Sequence, residues 1–303
     1  MQVSTDQDFP NRLNNFIEKF GGKKIKSGNK YKVPLTFENV PTDIIVIFGK
    51  RDYEIIMGES AEPCLHIKIG SDFIGEIKYI RTTSPTRQLK CKLSPKNPGS
   101  WLVRLSEAVL CKLGIKKSRL QDEATLRCNN NSTSNYRFLL YRILNGKRSW
   151  YQDSFSYIPT FSSLYIKNNY GYYDSYLYNV DIDTLLAMPM QVFAKIVENH
   201  TEMSSILRTA YEDDIEKIGL MLDIQQIFET FPIKDQVFQD YMLDLYQQDC
   251  ESFSLMSKFL DNTSSKEFVQ VLRFPWSDIY NRIVLANYRM EKVHQCEKTK
   301  LDH

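Results

Sequence analysis

Apolar residues at Phe9, Leu13, Phe16, Ile17 and Phe20 return every three or four positions, which predicts a helix over 9–20 with one buried face. Asp8, with Pro10 just behind it, supplies a cap and a first turn, and Gly21-Gly22 ends the pattern. The pattern then changes. Residues 44–48 and 53–57 are β-branched or aromatic-rich runs joined by Gly49-Lys50-Arg51-Asp52, and 65–69 and 73–80 are joined by Gly70-Ser71-Asp72. Each pair reads as a hairpin, and two consecutive hairpins make an antiparallel meander. Helical spacing returns at 101–113, and Gly114 stands where a left-handed residue closes the last turn. Residues 118–128 follow as a strand reached by a crossover, and 136–145 as a second helix.

From residue 181 onward every pattern is helical. Helices are expected over 181–188, 190–199, 204–231, 233–248, 251–260, 265–274 and 276–296, with breaks such as Phe231-Pro232 and Phe274-Pro275 between them. A domain of five to seven helices follows from this, and stripes such as Ile218, Met221, Leu222 and Phe228 read as its core. Two stretches stand apart. Residues 81–97, with the run Gln88-Leu89-Lys90-Cys91-Lys92-Leu93, are longer than an ordinary connection and are expected to add a β-extension. Residues 156–180 crowd Tyr157, Phe161, Tyr165, Tyr170, Tyr172, Tyr173, Tyr176 and Tyr178 into a Ser/Asn-rich segment. It reads as a seam between domains or as a surface that stacks bases or a flat ligand.

The segment 98–157 carries a resemblance. Pro98-Gly99-Ser100 ahead of a helix, then Leu113-Gly114-Ile115, a strand holding Leu120-Gln121-Asp122, a second helix, and Trp150-Tyr151-Gln152-Asp153-Ser154-Phe155 resemble the cofactor-binding half of the GNAT superfamily of acyl-CoA N-acyltransferases. With the meander in front, the resemblance covers residues 44–158 or so. It implies an α+β fold over 1–158, a mixed, mostly antiparallel GNAT-like sheet with flanking helices. An aromatic linker at 159–180 and an all-helical C-terminal domain at 181–303 would follow. The family commonly reads Tyr, two or three residues, Gly-Phe after the second helix; Tyr151 and Phe155 match, and Ser154 replaces the glycine. The Arg/Gln-x-x-Gly-x-Gly/Ala motif of the family is missing, and Pro98-Gly99-Ser100 stands in its place.

What the resemblance implies is acetyl-CoA as cofactor, its pyrophosphate held around Pro98, Gly99, Ser100, Trp101 and Arg104, and Tyr151 as general acid for the leaving thiolate. Physical chemistry supports parts of this independently. The first N–H groups of a helix lack internal partners and carry about half a positive charge. Gly99 would let an anion approach, with Lys90, Lys92, Lys96 and Arg104 near it in sequence. A phenol has a pKa of about 10, near that of a thiol. Glu76 and Asp122, each inside a strand pattern, are the candidate bases for the amine, and both also read as sheet residues facing solvent or an ion pair.

Composition narrows the rest. The chain has 303 residues, 42% hydrophobic and 25% charged, which is globular usage, and no apolar run approaches a membrane span of about 20 residues. The N-terminus has neither a basic start nor an apolar core, so no secretory signal is expected and a cytoplasmic location is. The six cysteines (64, 91, 111, 128, 250, 296) show no Cys-x-x-Cys and no nearby His, so reduced thiols and no metal site are expected. Net charge is +2 but uneven: residues 181–260 hold 15 acids against 5 bases, while 1–180 carry +11. The basic front, including the lysine-rich stretch 23–32 around Tyr31, suits an anionic partner such as CoA phosphates or nucleic acid, or a mobile charged loop. Three functions stay open: an N-acyltransferase acting on an amine, a catalytically silent GNAT-fold module that contacts a protein partner through 181–303, and a nucleic-acid-associated factor.

Overall fold

A computed structural model describes residues 8–25, 28–58, 63–80, 97–129, 132–161, 164–207, 215–263, 275–296 and 301. The chain divides into two compact units, one made of 1–121 with 291–303, the other of 122–290. Sequence placed the boundaries at 158 and 181 and gave the C-terminus to the helical part. The structure instead inserts the helical unit into the first and returns the chain's last residues to the sheet-bearing one.

The first unit opens with α1 (Phe9–Lys19), whose buried residues are the apolar positions of the sequence pattern. Asp8 stands at its N-cap but accepts from the Asn11 side chain rather than from a backbone N–H. Next come β1 (Lys23–Lys24), β2 (Lys30–Phe37), β3 (Val40–Phe48), β4 (Tyr53–Gly58), β5 (Pro63–Ile69) and β6 (Gly75–Ile80), each antiparallel to the one before. The lysine-rich stretch is therefore partly strand, because β2 needs a partner at the sheet edge and β1 supplies it. Glu38 and Asn39 both take positive φ and close β2 onto β3, with Phe37 opposite Val40. That turn matches the twist of the strands it joins.

Helix α2 (Pro98–Lys112) then leads to β7 (Lys117–Leu120), which pairs parallel to β6 as Gly75–Ser118, Glu76–Arg119 and Ile77–Leu120. Gly75 lets α2 pack close, since a Cβ there would push the Leu110 side chain aside. Residues 81–96, including the expected β-extension with Lys90, Lys92 and Lys96, lie outside the described residues. One sheet face packs on the helices: Val33, Leu35, Ile44, Val46, Ile55, Ile67 and Ile69 are buried, with the Phe9 ring against Tyr53 and Trp101 against Phe37. Ion pairs line the other face, Lys32–Asp43 at 2.9 Å and Lys78–Glu76 at 2.6 Å, and His66 stands 3.3 Å from Glu54.

The second unit holds a small ribbon, β8 (Thr125–Arg127) with β9 (Asn135–Arg137), then α3 (Phe138–Leu144), α4 (Trp150–Phe155), β10 (Ile158–Pro159) and α5 (Leu164–Asn169). It continues as α6 (Ser175–Leu186), α7 (Met190–Leu207), α8 (Ile215–Thr230), α9 (Phe238–Gln248), α10 (Cys250–Thr263) and α11 (Pro275–Tyr288). The helix expected at 265–274 falls outside the described residues. Trp276 stacks on Phe193 at 4.0 Å in the core. Among the tyrosines of 156–180, Tyr157, Tyr173 and Tyr178 are buried, whereas Tyr172 and Tyr176 are exposed.

The strand expected over 118–128 is two strands, broken at Asp122. The helix expected to reach 296 stops at Tyr288, and β11 (Met290–Val293) takes the next place in the sheet beside β7. Arg119 on Glu291 (2.7 Å), Lys292 on Glu107 (2.8 Å) and the His294 N–H on the Lys116 carbonyl (2.8 Å) hold the returning chain. The thiol expectation is corrected as well. Cys111 is bonded to Cys296, Cys128 to Cys250, and Cys64 is disulfide-bonded too. Sequence could not pair them, because their partners stand 185 and 122 residues away. The result is a mixed α/β chain with a mostly antiparallel sheet. Among the described residues no helix is long and apolar enough to cross a membrane.

Candidate functional site

Sequence-derived site residues fall in both units, and each unit is taken by itself. In the first, Pro98, Gly99 and Ser100 form the first turn of α2 and are partly exposed. Asn97 is the N-cap, yet its side chain caps nothing. Trp101, one residue further, is 1% exposed and belongs to the core, its indole N–H without a partner among the described residues. Arg104 lies one turn into α2 and is engaged: its guanidinium donates to both carboxylate oxygens of Glu38, at 2.7 and 2.9 Å. That hydrogen bond is the main reason the Glu38 carboxyl is held below its ordinary range and the Arg104 guanidinium above its own. Glu38 can reach Arg104 because the tight β2–β3 turn projects it there.

The residues therefore do not fit an incoming diphosphate well. An anion entering at the first turn of α2 would meet a cation already neutralised by a bidentate carboxylate. Trp101 offers it no surface. On β6, Glu76 faces Lys78 at 2.6 Å, with its side chain partly exposed. It is an ion-paired sheet residue.

In the second unit the structure brings Asp122 and Tyr151 together, with residues the sequence reading missed. Asp122 is 4% exposed; its carboxylate accepts from the Ser149 hydroxyl, and its own N–H donates to the Asn287 carbonyl at 3.2 Å. Burial pushes this carboxyl up, while the bonds from Ser149 and from the Ala124 N–H pull it back. Tyr151 is 7% exposed; burial first, and the Asp122 charge second, drive its phenol well above the usual tyrosine range. Tyr178 accepts from the Asn287 amide at 2.8 Å, and burial raises it to about 12. Ser149 is fully buried, 3.7 Å from the Met290 sulfur, and its N–H donates to the Gln152 side chain at 3.0 Å.

The local logic is readable backward. Ser149 followed three residues later by Gln152 is a capping-box signature, and it marks α4 as a separate helix after Gly146. Tyr178 and Asn287 carry no such local signal, because only the packing of α6 on α11 brings them in. Chemically the cluster sets a carboxyl that burial pushes up beside two phenols that burial holds protonated, in water-poor surroundings. Among the described residues no group of three or more His, Cys, Asp or Glu is placed to hold a metal ion. Comparison with protein-family models, curated proteins and solved structures found no match.

Proposed function

We propose that this chain is a GNAT-like α/β module that does not transfer acyl groups and acts as a scaffold or protein-interaction unit. The observation that carries this reading is that the side chains acyl transfer would call upon are engaged or enclosed. Arg104 is bound to Glu38, Glu76 to Lys78, Asp122 to Ser149, and Tyr151 is buried. A general acid or base has to come within about 3 Å of the atom it serves, through one water at most. The helical unit supplies the contact surface. It carries 22 acids against 15 bases, a net −7, while the sheet-bearing unit carries +9. Tyr176 and Val180, one turn apart on α6, are exposed, with Tyr172 just ahead of them at 82%. A basic, apolar-faced partner segment suits that combination.

Calorimetry with acetyl-CoA up to millimolar concentration, together with a thiol-release assay over a panel of amines, tests the proposal. The expected result is neither heat nor thiol. Saturable binding that Gly99→Trp abolishes, accompanied by CoA release, would overturn it.

One observation favours the transferase reading instead. β6 and β7 pair in parallel over three residues only, and the uncapped first turn of α2, with its partly exposed Gly99, belongs to the same crossover. A parallel pair whose shorter strand stops at Leu120, joined through a helix with an uncapped N-terminus, supports an acyl-CoA site with an amine as acceptor. The same two assays decide between the readings.

A further inference from the structure

We infer that the sheet end formed by β1, the start of β2 and the β3–β4 turn is a binding surface for single-stranded nucleic acid. Topology gathers the cations. Lys24 lies opposite Tyr31 in the β1–β2 pair, and Lys30 lies opposite Ile47, so the start of β2 stands beside the end of β3. Hydrogen bonds from the Phe48 N–H to the Asn29 carbonyl (2.9 Å) and from the Ile25 N–H to the Lys30 carbonyl (2.9 Å) fix that end. The turn Gly49-Lys50-Arg51-Asp52 leaves from the same place, closed by the Gly49 N–H on the Asp52 carbonyl. Lys24 shares the helix-packed face of the sheet with Tyr31, Lys23 and Lys30 lie on the reverse face, and Lys50 and Arg51 sit in the adjoining turn. The cations therefore ring this sheet end, over three strands about 4.8 Å apart and on the order of 10 Å across.

These cations are available. None of the five is ion-paired among the described residues, and two carboxylates of these strands are engaged elsewhere: Asp43 with Lys32 and Asp52 with Lys68. Beside the array stands a ring. Tyr31 is half-buried and on the same face as Lys24; it meets Phe48 in a T-shaped contact at 5.6 Å, and Phe48 in turn meets Tyr53 at 5.7 Å. An aromatic side chain braced from behind and flanked by unpaired cations fits a base on the ring with its phosphates on the lysines. A lipid surface fits less well, because no exposed large hydrophobic residue lies between Lys23 and Tyr53 among the described residues.

Fluorescence anisotropy of the full chain with labelled oligothymidylate and oligouridylate of about 20 nucleotides tests the surface. Binding is expected to weaken on the order of fifty- to hundredfold between about 50 and 200 mM salt, as for four or five phosphate contacts. Lys24→Glu combined with Lys50→Glu should weaken it at least tenfold and flatten the salt dependence. Tyr31→Leu should weaken it about tenfold with the salt dependence kept, the signature of a lost stack. Circular dichroism verifies that each variant is folded. The proposal is overturned by absence of salt-sensitive binding at tens of micromolar protein, or by charge-reversed protein that binds as tightly as the parent. Tyr31→Leu protein with parental affinity, or heparin and anionic vesicles bound equally well, would reduce the surface to a general polyanion attraction and equally overturn it.

Discussion

The ammonium of Lys292 lies 2.8 and 2.9 Å from the two carboxylate oxygens of Glu107, tying β11 to α2 across 185 residues of chain. Burial pushes the Glu107 carboxyl up, and the lysine works against that shift. Taking the lysine away strands a carboxylate with little water around it. Lys292→Met is therefore expected to cost about 3 kcal/mol, whereas Glu107→Met combined with Lys292→Met should recover most of the loss. Urea midpoints of the parent, the single and the double variant measure this; an unchanged midpoint for Lys292→Met would remove the pair from the supports of the fold.

His294 gives a pH signature. Burial first, and the Lys292 charge second, lower its imidazole to about 4. An unfolded chain protonates the same group near 6.5, so between those values the unfolded state holds the extra proton. Its contribution is complete above about pH 6.5 and is lost as pH falls toward 4. The raised carboxyls of Asp122, Glu107 and Asp261 act in the opposite sense, favouring the fold at low pH and losing that contribution as pH rises. The difference between parent and His294→Gln melting curves isolates the histidine. Between pH 7 and pH 5 the parent should lose about 1 kcal/mol or more relative to the variant.

Disulfides make a direct chemical prediction. Alkylation of the denatured, unreduced chain should leave Cys64, Cys111, Cys128, Cys250 and Cys296 unmodified, and prior reduction should expose them all. Cys111→Ser combined with Cys296→Ser opens a loop of 185 residues, for which chain entropy gives a loss of up to about 5 kcal/mol. Peptide mapping by mass spectrometry and a denaturant titration supply the two readouts.

Ser149→Ala removes the hydroxyl donor to the Asp122 carboxylate in a place without solvent. The cost is expected at about 2 kcal/mol, that of a buried polar group losing its partner. Asp122→Asn, which keeps shape and hydrogen-bonding capacity, should cost less. Thermal melts that rank the two the other way would show that the negative charge itself supports the fold.

Local pattern was enough for the first helix, both hairpins and α2, because in each case a run of buried positions ends at a turn that a glycine or an Asp-containing loop enforces. Phe9 to Phe20 are buried as their spacing requires. Pattern failed where long-range contacts decide. Met290 to Val293 continue a helical spacing yet form a strand, since the edge of β7 needs a partner. The break at Asp122 has the same origin: its backbone and carboxylate are claimed by Asn287 and Ser149. Of the candidate site, Asp122 and Tyr151 were each named from sequence, while their closeness comes from the fold, since 29 residues separate them. The engagement of Arg104 by Glu38 was hidden, because it depends on a turn 66 residues upstream.

Placing β11 beside β7 also sets an order of events during synthesis. The ribosome delivers β1 to β7 and then the whole helical insert before β11 exists, so the β7 edge is open for most of the chain's elongation. Slow translation of the insert would prolong that exposure, so the edge gains from shielding, by a chaperone for example, until residue 293 has left the exit tunnel.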